Sequence, residues 1–194
     1  MHRYVVIITG ASGSAYGMRL VEQLARHGEL TLIFTEKAAE VTEQELGFAL
    51  PAEGGREAVL RYLELPSDTA LRVVPSTRLF DPAASDASPV DAVIVAPASM
   101  GFLGSVAAGV ASDLAERVVE VALKERRPLV VVPRETPLSL IHLRSLVSLA
   151  EAGAVVVPAM PAFRQRPSSI DDIVNFVVGK VLDVLGIEHT LLER

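Results

Sequence analysis

The sequence lacks cysteine, long apolar runs and tracts of like charge. None of its 194 residues is cysteine, which excludes disulfide bonds, thiolate catalysis and cysteine-ligated metals. No apolar run reaches the roughly 18 residues that a membrane-spanning helix needs. The four histidines are scattered and form no metal-ligand pattern. We therefore expect neither a membrane segment nor a metal site.

Positive charge is also scarce. The chain has 18 Lys and Arg against 24 Asp and Glu, a net charge of −6, so its electrostatics give no reason to expect a nucleic-acid partner. Basic residues cluster locally at 124–127 and 164–166. In an acidic chain such clusters favour a small phosphorylated ligand over a polyanion. A solvated helix end that complements the helix dipole is the alternative for Arg126 and Arg127.

Apolar residues, by contrast, are abundant. They make up 50% of the chain, and the mean hydropathy is +0.39. This excess favours parallel strands covered on both faces, buried subunit contacts, or both. The strand pattern Tyr4–Ile8 has no signal-peptide pattern before it. With the absence of cysteine, this predicts a cytoplasmic protein.

Strand and helix patterns alternate along the whole chain. Apolar β-branched runs predict strands over 3–9, 30–34, 71–74, 91–96, 129–132 and 154–157. Helical spacing of apolar residues predicts helices over 14–27, 36–46, 53–63, 101–109, 114–126, 138–152 and 170–185. The alternation predicts a single-domain, Rossmann-like, doubly wound α/β fold with a mostly parallel sheet and helices on both faces. We expect a domain over 1–186 and a C-terminal tail over 187–194.

Local signals refine this picture. Thr35 resembles the N-cap of the second helix, and Ser112 is predicted to cap the helix 114–126. Small, turn-forming residues dominate 81–89, which predicts a loop over the functional site. The small residues of 101–109 permit close helix packing, either at a subunit interface or in an ordinary core.

Two turns have the character of anion sites. Gly10–Gly13 joins the first strand to the first helix, where backbone N–H groups and the helix dipole attract anions and Ser12 adds a hydroxyl. The turn 96–101, APASMG, has the same design. Neither carries the dinucleotide glycine motif or the Walker lysine, so a flavin mononucleotide phosphate, or another monophosphate, suits them better than NAD. For Gly10–Gly13 a merely structural tight turn is the alternative.

A third segment ends a strand with adjacent Arg134 and Glu135 between two prolines. Ligands of doubly wound proteins bind at the carboxyl ends of the strands, so this pair is well placed for chemistry. A surface ion pair that closes the loop is the alternative. His142, in the following helix, is expected to cap or pack rather than to act as a base.

Together these segments resemble the flavin prenyltransferase family (UbiX-type, related to phenylacrylic acid decarboxylase-like flavoproteins). The matching motifs are GASG at 10–13, APASMG at 96–101, the segment 112–138 with LKERRPL and PRETPL, and PAF at 161–163. The match covers nearly the whole chain. The resemblance implies that FMN is held by Gly10, Ala11, Ser12, Thr35 or Glu36, Ser99, Met100, Gly101, Phe102 and Arg134.

The resemblance also implies a reaction. A dimethylallyl group passes from dimethylallyl monophosphate to N5 and C6 of reduced FMN, without a metal, and the prenylated FMN serves a UbiD-type decarboxylase. Glu135, or the released phosphate, is expected to manage proton transfer at the flavin. The family implies a homododecamer with sites at subunit contacts, which fits the apolar excess.

Ionisation of an allylic phosphate needs cations around the departing phosphate and a dry pocket. Arg117 and Lys124 are seven residues apart and share a helix face, although solvated helix charges are the alternative. The resemblance adds Lys180, for which a side chain snorkelling at a helix edge is the alternative. It also places Arg164 where the family usually has tyrosine, and an arginine can bind phosphate through two hydrogen bonds.

Two departures bear on the flavin. Glu36 stands where the family commonly has serine, and Phe102 replaces a frequent small polar residue. The Arg164 and Phe102 departures permit one rival, an FMN carrier without chemistry. A flavin-dependent decarboxylase is another, but it needs a histidine in the early helix and an asparagine in the second turn. This chain has His27 at the far end of that helix and Met100-Gly101 in the turn.

Overall fold

The computed structural model describes residues 2–87 and 90–192. Its strands are β1 (His2–Ile8), β2 (Gly28–Phe34), β3 (Leu71–Pro75), β4 (Ala92–Ala98), β5 (Leu129–Pro133) and β6 (Val155–Val156). Its helices are α1 (Ser14–Leu24), α2 (Glu36–Leu46), α3 (Gly55–Tyr62), α4 (Met100–Ala107), α5 (Leu114–Lys124), α6 (Leu140–Glu151) and α7 (Ile170–Leu185). The strands form one sheet in the order β3-β2-β1-β4-β5-β6, and every pairing is parallel. The predicted doubly wound fold is confirmed.

Both faces of the sheet are covered by helices. On β1, Val6 and Ile8 belong to a core that includes α1 and α7, whereas Val5 and Ile7 belong to a second core with α4 and α5. Successive side chains of a strand point to opposite faces. A strand buried on both sides must therefore be apolar at every position, which accounts for much of the chain's hydropathy.

One helix cap differs from the prediction. Asp113, rather than Ser112, is the N-cap of α5, because its carboxylate accepts a hydrogen bond from the backbone N–H of Glu116 at 2.9 Å. The Ser112 hydroxyl instead donates to the Glu116 carboxylate at 2.6 Å. A carboxylate in the first turn also complements the helix dipole. The predicted Thr35 cap of α2 is present, accepting from Ala38 N at 3.2 Å.

The segment 81–87 does not line the cleft at the carboxyl edge of its own sheet, and the loop over the site stays a prediction. Asp81 forms an ion pair with Arg72 of β3 at 2.7 Å. Further on, Asp86 pairs with Lys124, the last residue of α5. These charge pairs hold the segment across one face of the sheet. Ser88 and Pro89 lie outside the described residues.

The segment 187–192 packs back onto α7. His189 contacts the Asp183 carboxylate at 3.2 Å, and a Cβ placed on Gly179 would lie 2.7 Å from Cγ of Leu192. The boundary at 186 stays a prediction. Among the described residues no helix has the length and apolarity needed to cross a membrane.

Candidate active site at the carboxyl edge of the sheet

The strand order creates a crevice between the carboxyl ends of β1 and β4. The chain moves from β1 outwards to β2 and β3, then returns to build β4, β5 and β6 on the other side. The connections that leave β1 and β4 run in opposite directions along the sheet and leave a crevice between them, where ligands of such sheets bind. The two turns that the sequence marked as anion sites follow β1 and β4 and therefore lie side by side.

Thr9 ties these two turns together. Its hydroxyl donates to the Pro97 carbonyl at 2.8 Å and accepts from the backbone N–H of Ser99 at 2.8 Å. The residue is 1% exposed. A buried N–H without a partner is costly, so this hydroxyl fixes the spacing of the crevice walls.

A cleft of about 390 Å³ opens beside the Thr9 hydroxyl and the two turns, within the range of small-molecule sites. Its hydroxyl-bearing residues are Thr9, Thr35, Ser76, Thr77, Ser99 and Ser105. Gly101 and Phe102 of α4 line it as well. The N–H groups of a first helical turn have no carbonyl partner within the helix, so those of Met100 and Gly101 can donate to a ligand. We call this the hydroxyl cleft.

Four charged side chains line the hydroxyl cleft: Glu36, Lys37, Asp113 and Glu116. Asp113 accepts from the Glu116 N–H, and Glu116 accepts from the N–H and hydroxyl of Ser112 at 2.7 and 2.6 Å. These hydrogen bonds hold both carboxylates against their own helix. Glu36 makes no hydrogen bond or ion pair within the described chain.

The N-terminus of α1 already holds an anion, which is the Glu45 carboxylate. Its oxygens accept from the backbone N–H of Gly13 and of Ser14, each at 2.9 Å. Gly13 has φ of 104° and offers no side-chain cap, so Glu45 of α2 serves instead. Burial opposes its ionisation, but hydrogen bonds from the Ser12 side chain and these N–H groups prevail and lower the pKa of Glu45. The anion site predicted from the sequence is present, but a protein carboxylate fills it.

Arg134 links the end of β5 to the turn after β1. Its Nε donates to the Ser12 carbonyl at 2.9 Å. Burial raises the pKa of Tyr16, and the nearby Arg134 charge partly opposes that rise. Glu135 is exposed, and its carboxylate accepts from the Thr136 N–H at 3.0 Å. The side chain of Arg134 therefore joins the crevice.

Arg117 and Lys124 do not join the hydroxyl cleft of their own chain. The helix α5 starts beside Ser76, at the carboxyl edge, and its 11 residues span about 16 Å before Lys124. Lys124 therefore lies at the amino edge, paired with Asp86. A hydrogen bond from Lys124, with the charges of Arg117 and Arg127 nearby, lowers the pKa of Asp86. Arg117 itself forms an ion pair with Glu120, one turn further along α5, at 2.9 Å.

The other two predicted cations also lie apart from the cleft. Arg164 is exposed in a turn closed by the Arg166 N–H and the Phe163 carbonyl at 2.9 Å. Lys180 pairs with Asp183 at 3.0 Å and lies 5.9 Å from the centre of the Phe176 ring. A single chain therefore does not assemble the predicted cationic pocket.

Sequence reasoning missed several residues of the crevice. Glu45 was not predicted to cap α1, because its partners lie more than 30 positions away. The hydroxyls of Ser76 and Thr77 directly follow β3, a position that could have marked them as cleft residues. Among the described residues, no group of three or more His, Asp and Glu side chains is arranged to hold a metal ion.

Comparison with known sequences identifies the family of the chain. The profile of the family described as Flavoprotein matches residues 1–182. The chain belongs to the Flavoprotein family. Within it, the chain is 42% identical over 192 residues to the flavin prenyltransferase UbiX of Halalkalibacterium halodurans, covering 98% of this chain and 92% of that protein. It is 41% identical to that of Pseudomonas aeruginosa, covering 99% and 93%. The resemblance drawn from the motifs is confirmed.

Solved structures of UbiX-type proteins are also similar to this chain. AnUbiX (PadA1), solved with FMN and dimethylallyl pyrophosphate, superposes with a TM-score of 0.88 at 34% identity, covering 100% of this chain and 96% of that one. A dodecameric FMN-dependent UbiX-like decarboxylase from Escherichia coli O157:H7 gives 0.85 at 35% identity, covering 96% of each chain. Cysteine decarboxylase TvaF, at 19% identity and a TM-score of 0.64, shares the fold.

Proposed function

We propose that this chain is a flavin prenyltransferase that joins a dimethylallyl group from dimethylallyl monophosphate to N5 and C6 of reduced FMN. The carrying observation is the full-length similarity, at about 40% identity, to curated flavin prenyltransferases. The crevice with Arg134 and the hydroxyl cleft supports it, because these groups suit a phosphorylated flavin. A carrier and a flavin-dependent decarboxylase remain the alternatives for the experiment.

FMN fits the donors of the crevice. We propose that its phosphate enters the hydroxyl cleft near Thr35, Glu36 and Ser99. The N–H groups of Met100 and Gly101 at the start of α4 have no carbonyl acceptor within the helix and can donate to it. The turn Gly10–Ser12 and the Arg134 guanidinium would hold the rest of the flavin. Reduced FMN supplies the nucleophilic ring atoms when bound. Phe102 would give the cleft an apolar wall.

The remaining site residues act on the second substrate in this proposal. Breaking the C–O bond of dimethylallyl phosphate releases phosphate, which cations must stabilise in a water-poor site. We assign this role to Arg117, Lys124, Arg164 and Lys180, and proton transfer at the flavin to Glu135. Because Lys124 lies at the opposite edge of its own sheet, it would serve the site of a neighbouring subunit.

Such sharing requires an oligomer, and we propose a homododecamer. The E. coli relative is dodecameric. The exposed apolar face of α6 supports subunit contacts, with Leu140, Ile141, Leu143 and Val147 between 45% and 73% exposed. We further propose that the protein acts in the cytoplasm and passes prenylated FMN to a UbiD-type decarboxylase.

The deciding experiment is an anaerobic incubation of the purified protein with reduced FMN and dimethylallyl monophosphate. Mass spectrometry of the extracted flavin should show a mass increase of one five-carbon unit. Dimethylallyl diphosphate is tested in parallel, because the two donors differ by one phosphate. Bound but unmodified FMN with both donors would instead identify a carrier or a decarboxylase.

A further inference from the structure

Lys37 lies at the rim of the hydroxyl cleft, and its contacts point to a role in ligand binding. We propose that its ammonium group binds the phosphate of the flavin and sets the preference for FMN over unphosphorylated riboflavin. The inference rests on the proposed function in taking the ligand to be a flavin. Lys37 is the second residue of α2 and directly follows Glu36.

The position of the Lys37 stem is set by a close approach to Gly10. A Cβ placed on Gly10 would lie 2.5 Å from Cβ of Lys37 and 3.5 Å from its Cδ. Real Cβ atoms do not come that close, so any other residue at position 10 would push the lysine away. The glycine therefore keeps the lysine stem against the turn after β1, beside the crevice.

The charges of the cleft give Lys37 its importance. Its neighbours there include the carboxylates of Glu36, Asp113 and Glu116, which would repel a phosphate. Lys37 is the one cation among the described lining residues, and it forms no ion pair within the described chain. A positive charge on the donor strengthens a hydrogen bond to phosphate, and Lys37 can provide that charge without first breaking a salt bridge.

Other donors and cations considered for the site have protein partners away from the hydroxyl cleft. At the N-terminus of α1 the Gly13 and Ser14 N–H groups already donate to the Glu45 carboxylate. Arg134 donates to the Ser12 carbonyl. Lys124 and Lys180 have carboxylate partners outside the cleft. The phosphate is thereby directed to the hydroxyl cleft and to Lys37.

The test compares FMN with riboflavin, which lacks the phosphate, in fluorescence titrations of the full-length protein. In the Lys37→Ala variant we expect FMN affinity to fall about tenfold, as for one charge-assisted hydrogen bond of roughly 1.4 kcal/mol. Riboflavin affinity should stay unchanged. Lys37→Arg should recover most of the loss, and Glu36→Gln should strengthen FMN binding.

The matched control is Arg26→Ala, which removes one positive charge near the end of α1, away from the cleft. It should leave both affinities unchanged. Equal losses for FMN and riboflavin in Lys37→Ala, or no loss for FMN, would overturn the proposal. If the wild-type protein binds neither flavin, the proposed function fails together with this inference. If it binds FMN and the Lys37 variant is unaffected, this inference alone fails.

Discussion

At the scale of single residues, one hydroxyl organises the crevice. Thr9 accepts from Ser99 N–H and donates to Pro97 O, so one side chain satisfies backbone groups on a strand that is about 90 positions away in sequence. Valine has the same shape without the hydroxyl. Replacing Thr9 with valine therefore removes the two hydrogen bonds and leaves the packing volume unchanged.

We expect Thr9→Val to lower the free energy of unfolding by about 1–3 kcal/mol, because it leaves the partly buried Ser99 N–H without its acceptor. Denaturant unfolding followed by circular dichroism measures this. Thr31→Val on β2 is the control, since the Thr31 hydroxyl makes no hydrogen bond within the described chain. An equally small decrease in the free energy of unfolding in both variants would contradict the role given to Thr9.

The positions of Arg134 and His142 agree with what was predicted from the sequence. The motif indicated that Arg134 would meet the crevice, and its bond to Ser12 agrees. The predicted capping role of His142 is confirmed by its reciprocal hydrogen bonds with Ser139 at the start of α6. The capping of α1 by Glu45 was not predicted, because it depends on how two helices dock.

At the scale of elements, the last turn of α2 docks onto the first turn of α1. Thr42 donates to the Ser14 hydroxyl at 3.1 Å, and Glu45 accepts from the Gly13 and Ser14 N–H groups. The carboxylate replaces the missing cap and complements the helix dipole. The geometry of the turn after β1 thus depends on the neighbouring helix.

Glu45→Gln should therefore destabilise the protein by about 0.5–1 kcal/mol at pH 7. The pKa of Glu45 is lower in the folded state than its ordinary value of 4.5. Its stabilising contribution is thus full above pH 4.5 and is lost as the pH falls through the folded-state pKa. Thermal unfolding at several pH values should show the wild type and variant converging on acidification. Glu43→Gln removes an exposed carboxylate of the same helix and should match the wild type at every pH. A difference in stability between the wild type and Glu45→Gln that does not change with pH would refute the assignment.

At the scale of the whole molecule, the predicted cations do not meet within one chain. Lys124 lies at the amino edge and Arg134 at the carboxyl edge of the same sheet. If both serve one site, that site must draw on two subunits. This requirement distinguishes a shared site from a set of solvated helix charges.

Subunit mixing tests the requirement. We expect Lys124→Glu and Arg134→Ala each to abolish prenyl transfer, while Lys124→Glu still binds FMN. Co-expressed in equal amounts, the two variants should regain about a quarter of wild-type activity. Half of the subunits carry an intact Lys124 and the other half an intact Arg134, so about a quarter of the shared sites receive both. Mixed oligomers that stay inactive would show that both residues act within one subunit.

The exposed face of α6 makes a second prediction at this scale. Leu149 is the one residue of α6 that is fully buried in the chain, whereas Ile141 is 73% exposed. Exposed apolar patches of this kind mark interaction sites. Ile141→Asp should reduce the assembly towards the 20.7 kDa monomer, as measured by light scattering after gel filtration. Val184→Asp on α7 is the matched control, and an assembly of unchanged mass would exclude α6 from the interface.

Local sequence patterns were sufficient to predict the fold class, the two anion-friendly turns and the family. These features are local: alternating apolar periods define the strands and helices, and short motifs define the turns that follow them. The helix caps were predicted less exactly, since Asp113 rather than Ser112 caps α5.

The tertiary structure alone decided which of these residues meet. It brought Thr9, Lys37 and the hydroxyls of four strand ends to one cleft, and it filled the N-terminus of α1 with Glu45. It also separated Lys124 from Arg134. The physical reason is that strand order and helix docking fix distances between residues far apart in sequence, and no local pattern in the chain encodes those distances.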